Sequence, residues 1–496
     1  MKTNFAKSLA IFLVVAFGAD PQTFSPTPEE SRALASISVD SLRGNLSFIA
    51  SDLLEGRDTP SRGLDLAALY VAAQFRRAGL EPAGGDGYFQ TAEMLRIAQS
   101  PEGFDLRLQT GTRTLVVSRD RATAISRQPL ELSSAPVYKI VDQADLRAAA
   151  VKGKVVELDR AREGARALAK AAALLHPAAF LETADDSVPA VPRLIDPDEE
   201  PSLLSDAPLL IVRDPDAVKL LADAKAGETG IAVSIKLAAP TATAVTVRNV
   251  AAVLRGSDSA LRGQYVLLTA HYDHIGRGAT GEVFPGANDD GSGTVSVIEI
   301  AQALAGLPVH PKRSIVFLTF FGEEEGGLGS RYYTRHPLFP LSETVADLNL
   351  EQVGRTDSRA GPEISNATLT GFQYSSVART LQKAGELTGI RVYETPNGDD
   401  FFDRSDNQTF AEHGIPAHTL AVAFEFSDYH ATGDVWQKID YANMAKVDRM
   451  IALGIVILAD SVEPPRWNSE NPKVTRYLKG AKRVLEDPRR PGGPPH

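Results

Sequence analysis

Three apolar runs in the second half of the chain constrain its fold more than any other feature. They are Tyr265-Val266-Leu267-Leu268-Thr269, Ser314-Ile315-Val316-Phe317-Leu318-Thr319-Phe320 and Ala417-His418-Thr419-Leu420-Ala421-Val422. None carries an acidic or strongly basic side chain. A strand this apolar on both sides has to be covered on both faces, so the runs belong to a sheet sandwiched between other layers. Helical patterns separate them. From Ser292 to Leu304, for instance, Val297, Ile300, Ala301 and Leu304 fall on one side. This alternation predicts an α/β fold: a three-layer α/β/α sandwich around a mostly parallel mixed sheet.

The first half reads differently. Residues 20–32 form a polar linker, and helical patterns follow at Leu42 to Leu54 and at Ala67 to Ala78, the second stopping at Gly79. From about Phe104 to Leu237 short β-type runs take over, such as Thr114 to Val117, Gly153 to Leu158 and Pro208 to Val212. This stretch holds one histidine, His176, and no acid–histidine cluster. It is expected to be a β-rich, non-catalytic insert at 111–244. It would interrupt a main domain made of 33–110 and the catalytic part 245–464. The Pro- and Gly-rich end suggests a disordered tail over 465–496.

At the N-terminus, Lys2 and Lys7 precede the apolar run Leu9 to Phe17, which closes on the small residues of Ala16-Phe17-Gly18-Ala19. That order matches a secretory signal peptide over residues 1–19, and the run is too short to span a bilayer. The mature protein is expected to be secreted or periplasmic, with no membrane anchor.

Bulk composition removes several classes of function. The 496 residues carry a formal net charge of -11, which argues against a nucleic-acid partner. There is no cysteine, so disulfides, thiolate metal sites and a cysteine nucleophile are excluded. A bound metal has to be held by histidine and carboxylate, which leaves zinc, manganese and similar ions open.

Such side chains occur where an α/β sheet would gather them. His271 and Asp273 follow one apolar run, Glu323 and Glu324 follow the next, Glu351 closes the short run Ala346 to Leu350, and His430 lies a short loop beyond the last. Sites in open α/β sheets form in the crevice beyond the carboxyl ends of the strands. Asp289 arrives instead in the loop Gly286-Ala287-Asn288-Asp289-Asp290-Gly291-Ser292-Gly293. Read singly, these residues are unremarkable. Glu323-Glu324-Glu325 would be a solvated charge run, and Asp289-Asp290 lacks the acid spacing of a calcium loop. Ser292 has flanking glycines but no preceding strand, so it reads as a helix cap and not as a hydrolase nucleophile. His274 and Asp290 read as structural or supporting groups.

Taken in order, the runs His271-Tyr272-Asp273-His274, Gly286 to Gly293, Gly322-Glu323-Glu324-Glu325-Gly326, Asn349-Leu350-Glu351 and Asp428-Tyr429-His430 resemble the M28 family of zinc aminopeptidases. The segment Leu46 to Arg57 shares in the likeness. The middle stretch resembles the protease-associated (PA) domain often inserted in such enzymes. The resemblance implies a zinc-exopeptidase-like fold and two zinc ions per chain, other divalent metals being possible. Asp289 would join both ions. His271 and Glu351 would complete one site, Glu324 and His430 the other. Glu323 would be the general base, Asp273 would orient His271, and Tyr429 would steady the oxyanion. Peptide or protein N-termini are the implied substrates. Two departures stand out: the family usually has aspartate at Glu351, and Asn407 replaces a common histidine. The alternatives on this scaffold are a carboxypeptidase, an aminoacyl cyclase or a receptor-like relative without metal. The last should lack some of these residues, and this chain keeps all six of its ligands and base.

Overall fold

A computed structural model describes residues 25–486 except 101, 161, 163, 185–192, 199–206 and 279. The expected leader at 1–19 lies outside the described residues. All three apolar runs are strands of one ten-stranded mixed sheet. Tyr265–His271 lies between Ser314–Phe320 and Thr344–Leu350, parallel to both, and Ala417–Ala421 continues parallel beyond Thr344–Leu350. Antiparallel strands extend the other side: Thr241–Leu254 pairs with Ser314–Phe320 and then with Phe89–Ala98.

Alternate residues of the same strand enter different cores. Val266, Leu268 and Ala270 pack with helices that include Gly293–Ala305 and Tyr441–Asp460. Tyr265 and Leu267 join Phe320, Phe410 and Tyr477 on the other face. This period-two partition, with helices on both faces, produces the three-layer sandwich.

A second sheet of eight strands begins at Asp105 and ends at Leu237, with an apolar cluster on each face. It differs from the expected insert at 111–244 in two ways. Asp105–Thr110 already belongs to the second sheet, whereas Thr241–Leu254 belongs to the main one. The reason is the pairing of Thr241 with Ala98: the chain leaves and re-enters the main sheet on adjacent antiparallel strands. The stretch is also less purely β than expected. It carries helices at Ala165–Ala173 and Pro215–Ala222, and its central strands, from Leu130–Lys139 to Leu209–Val212, run parallel. One short strand inside it, Arg193–Ile195, returns to the main sheet against Leu95 to Ile97.

Both ends are more ordered than their composition suggests. Helix Pro28–Ser36 begins inside the expected linker, because Thr27 and Glu30 form a reciprocal capping box and Leu34 is buried. The expected disordered tail at 465–496 is overturned as far as Glu486 by the helix Thr475–Glu486. Val474 and Tyr477 are fully buried, Tyr477 stacks on Trp467 with ring centres 5.1 Å apart, and Trp467 Nε1 donates to the Gly414 carbonyl at 2.8 Å. Apolar anchors ahead of the Pro-Gly run outweigh its composition. Residues 487–496 lie outside the described set. No described helix is long and apolar enough to cross a membrane.

Candidate metal centre and active site

The parallel strands deliver charged side chains at their carboxyl ends. His271 is the last residue of its strand, Glu323 and Glu324 come shortly after Ser314–Phe320, and Glu351 directly follows Thr344–Leu350. Asp289 comes from the loop ahead of helix Gly293–Ala305, and His430 from the loop beyond Ala417–Ala421.

These groups meet around Asp289. Its Oδ1 lies 3.6 Å from His271 Nε2, and its Oδ2 lies 3.0 Å from His430 Nε2. Glu351 Oε1 is 3.9 Å from His271 Nε2, and Glu324 Oε2 is 3.3 Å from His430 Nε2. Two histidine–carboxylate groups thus share one aspartate. Glu323 Oε2 stands 4.0 Å from His271 Nε2 and lines the same cavity. Asp289 Oδ2, Glu324 Oε1 and His430 Nε2 are buried, and their close contacts with one another and with His274 lack good hydrogen-bond geometry. Native proteins rarely leave such atoms unpaired. Imidazole nitrogen and carboxylate oxygen converging in this way form the donor set that zinc takes, so the residues present fit a metal.

The protonation pattern agrees. Burial works against charge on Asp289, but the His271 and His430 imidazoles outweigh it and hold the carboxyl well below its usual range. Burial and the nearby Asp289 are likewise overcome at Glu324, which His274 and His430 hold at about 2. Burial pushes Glu323 well above the ordinary glutamate range and Glu351 up to about 8, against the pull of His271 on both. So many carboxylates in one dry pocket cannot all be charged together, and positive charge placed among them would relieve the conflict.

The surrounding residues fix these positions. Asp273 Oδ1 is 3.5 Å from His271 Nδ1, and its two oxygens accept the backbone N–H groups of Glu323 and Glu324 at 3.1 and 3.3 Å. It therefore ties the histidine strand to the glutamate pair. Ser292 stands at the N-cap position of helix Gly293–Ala305, but its side chain caps no backbone N–H of that helix. Its hydroxyl donates to the Asn288 carbonyl and accepts from Val353 N–H, pinning the Asp289 loop to the segment after Glu351. His274 Nδ1 sits 2.9 Å from Glu324 Oε1, and His274, Asp289 and Glu324 each place a ligand atom within 4.8 Å of the others. That brings His274 closer to the metal centre than the sequence suggested. Gly286 makes room for it. Its φ is +56°, and a Cβ there would fall 2.4 Å from the His274 ring.

Tyr429 stacks on His430 with ring centres 4.0 Å apart and lines the cavity, with 47% of its surface exposed. Its partial burial and then the surrounding carboxylates raise its phenol pKa, which keeps it protonated.

Arg57 and Asp434 are among the residues that sequence reasoning did not find. The fully buried Arg57 donates to the carbonyls of Ile49, Tyr272, Pro285 and Gly286, clamping both ends of the metal-centre loops. Asp434 accepts from the backbone N–H groups of Asn288 and Asp289, joining the His430 loop to the Asp289 loop. Arg57 closes the Leu46 to Arg57 segment, and Asp434 lies four residues after His430. Proximity to those motifs was the available signal.

Residues 249–455 match the model of peptidase family M28. Aminopeptidase YwaD of Bacillus subtilis is 34% identical over 151 residues, which cover 30% of this chain and 30% of that relative. The match therefore spans less than a third of the curated relative's length. Among solved structures, an aminopeptidase from Aneurinibacillus sp. strain AM-1 superposes with a TM-score of 0.57 at 18% identity, over 88% of this chain and 98% of that one. A zinc aminopeptidase from Bacillus subtilis gives 0.52 at 21% identity, over 84% of this chain and 94% of that one. These two share the fold. The part that matches peptidase family M28, residues 249–455, carries every histidine and carboxylate of the centre.

Proposed function

We propose that the chain is an exported, two-zinc exopeptidase that hydrolyses N-terminal peptide bonds. The observation that carries this reading is Asp289, whose two oxygens face two different histidines. His271 and Glu351 would hold one ion beside it, and Glu324 and His430 the other. Bound zinc supplies Lewis acidity, polarising the substrate carbonyl and lowering the pKa of water. Glu323 is the general base. It takes a proton from the water that adds to the carbonyl carbon, and returns it to the amine nitrogen as the C–N bond breaks. Burial pushes its carboxyl upward, which suits a group that carries a proton between two partners. Tyr429, held protonated, donates a hydrogen bond to the oxyanion of the tetrahedral state. Asp273, with Oδ1 3.5 Å from His271 Nδ1, would orient that ring and fix its tautomer. The excess of carboxylates favours a substrate ammonium group, as an aminopeptidase requires. Export rests on the signal-like residues 1–19. The stretch 111–244 is assigned as a PA-like module, and none of its described residues lines the cavity.

A panel of aminoacyl-nitroanilides and N-blocked dipeptides, with and without chelator, tests this. Cleavage of the nitroanilides alone, abolished by chelator, is expected. Glu323→Gln should lower kcat by roughly 10²–10⁴-fold while metal analysis still finds two ions per chain. Metal loss in that variant would refute the base assignment. Arg359 and Arg404 beside the cavity favour one second reading, a carboxypeptidase on the same scaffold. Cleavage of the N-blocked dipeptides instead would establish it.

A further inference from the structure

The cavity above the metal centre has a second chemical character. Asp289, Glu323, Glu324 and Glu351 line one part of it, and Arg359, Arg404, Phe401 and Phe424 line another. Phe401 and Phe424 stack with ring centres 4.7 Å apart and planes 7° apart, which makes a flat apolar wall. The Arg404 guanidinium lies over the Phe401 ring, 4.7 Å from its centre. Stacking occupies the face of a guanidinium and leaves its in-plane N–H fork available, the geometry that takes a carboxylate through two parallel hydrogen bonds.

Arg359 is held by its backbone. Its N–H donates to the Glu425 carbonyl at 2.8 Å, and the preceding Ser358 bridges Phe426. Among the described residues neither Arg359 nor Arg404 has a side-chain ion pair or hydrogen bond, although Glu425 shares the same rim. Most arginines near this site are spoken for: Arg57 by four carbonyls, Arg355 by Asp357 and Asp428. Two guanidiniums left without a protein partner beside an acidic centre call for an anion from outside. The centre itself repels anions, so the anion must belong to a substrate anchored elsewhere in the cavity.

We infer that Arg359 and Arg404 form a recognition point for a substrate carboxylate, so that peptides bearing a carboxylate just beyond the scissile bond are preferred. This rests on the exopeptidase reading above and names the substrate class of the same site. The ammonium end of such a peptide would meet the acidic part of the cavity and the carboxylate the arginine part. Two sources supply that carboxylate: the free C-terminus of a dipeptide, or an acidic side chain in the second position of a longer peptide.

Paired substrates separate the two. Leu-Gly is compared with Leu-Gly-amide for a main-chain carboxylate, and Leu-Asp-amide with Leu-Asn-amide for a side-chain one. In at least one pair the wild-type enzyme should favour the carboxylate by about tenfold in kcat/KM, mainly through KM, and that pair identifies the source. The double variant Arg359→Gln/Arg404→Gln should bring the ratio within each pair close to one, and Arg359→Lys/Arg404→Lys should keep part of it. Equal rates within both wild-type pairs, or a preference that survives the glutamine variant, would overturn the inference. Failure of the exopeptidase reading looks different: no chelator-sensitive cleavage of any of the four peptides, which takes the inference down with it. If only N-acetylated peptides are cleaved, the aminopeptidase part alone falls, and N-acetyl-Leu-Gly against N-acetyl-Leu-Gly-amide applies the same test to the arginines.

Discussion

His418 was given no role by its sequence context, and the structure makes it a structural side chain. It is fully buried, with Nδ1 2.8 Å from the Thr370 carbonyl and Nε2 2.6 Å from the Ser375 hydroxyl. A carbonyl only accepts, so Nδ1 carries the proton and Nε2 accepts from Ser375. Burial lowers the ring's pKa from 6.5 to about 4, against the pull of the Thr370 carbonyl. The unfolded chain thus binds the proton more readily than the folded one between those values. The neutral ring's contribution is present above about pH 6.5 and is lost as pH falls toward 4, up to about 3 kcal/mol. Urea unfolding across pH 7.5 to 4 should show a shallower loss of stability in His418→Gln than in wild type. Parallel slopes would remove His418 from this account. Residue roles of this kind were hard to read from the chain. The candidate ligands stood out because each lies beyond an apolar run or sits among glycines. Arg57, Asp434 and Ser405 did not, because their partners are distant in sequence and no local pattern marks a side chain that bonds a remote carbonyl. Ser405 shows the cost of that. Its hydroxyl bonds the Glu351 carboxylate and accepts from Asn349, so the side chain that departs from the family's aspartate has a specific support.

At the level of elements, strands were legible and ends were not. The run Ser314 to Phe320 is a strand with those bounds, because an uninterrupted apolar stretch has one way to be buried in a sheet. The terminal helix Thr475–Glu486 was misread because its stability comes from where it packs. It covers the segment that bears Phe401 and Arg404: Tyr477 packs on Phe402 with ring centres 5.4 Å apart and donates to Asp403 Oδ1 at 2.9 Å. Removing residues 465–496 should therefore do more than shorten the chain. Losing the burial of Val474 and Tyr477 should cost roughly 3 kcal/mol or more, and loosening the Phe401–Arg404 turn should raise KM. Thermal melts and peptide kinetics on the truncated chain check both. An unchanged melting temperature would mean that this helix is an ornament.

On the scale of the molecule, the centre draws on five separate segments between His271 and His430, and Asp273, Arg57 and Asp434 tie them together. Metal held there, three segments to each ion with Asp289 common to both, would link all five in the folded state alone, because the unfolded chain does not hold those groups close. Metal at a hundred times its dissociation constant would then add about 2.7 kcal/mol of stability. Chelation should lower the melting temperature by several degrees, and zinc should restore it. A melt insensitive to chelator, on a sample shown to lose its metal, would argue against this centre. The sequence by itself determined the layered α/β class, the parallel core strands and which histidines and carboxylates stand near the strand ends. Each of these follows from local periodicity or from residue type at a strand end. Only the tertiary structure decided that Asp289 turns one oxygen to each histidine, that Arg57 and Asp434 hold the loops, where the second sheet begins, and that two arginines stand unpaired beside the acidic centre. Those facts depend on which distant segments the packed sheet brings together, and no local pattern in the chain encodes a distance between residues so far apart.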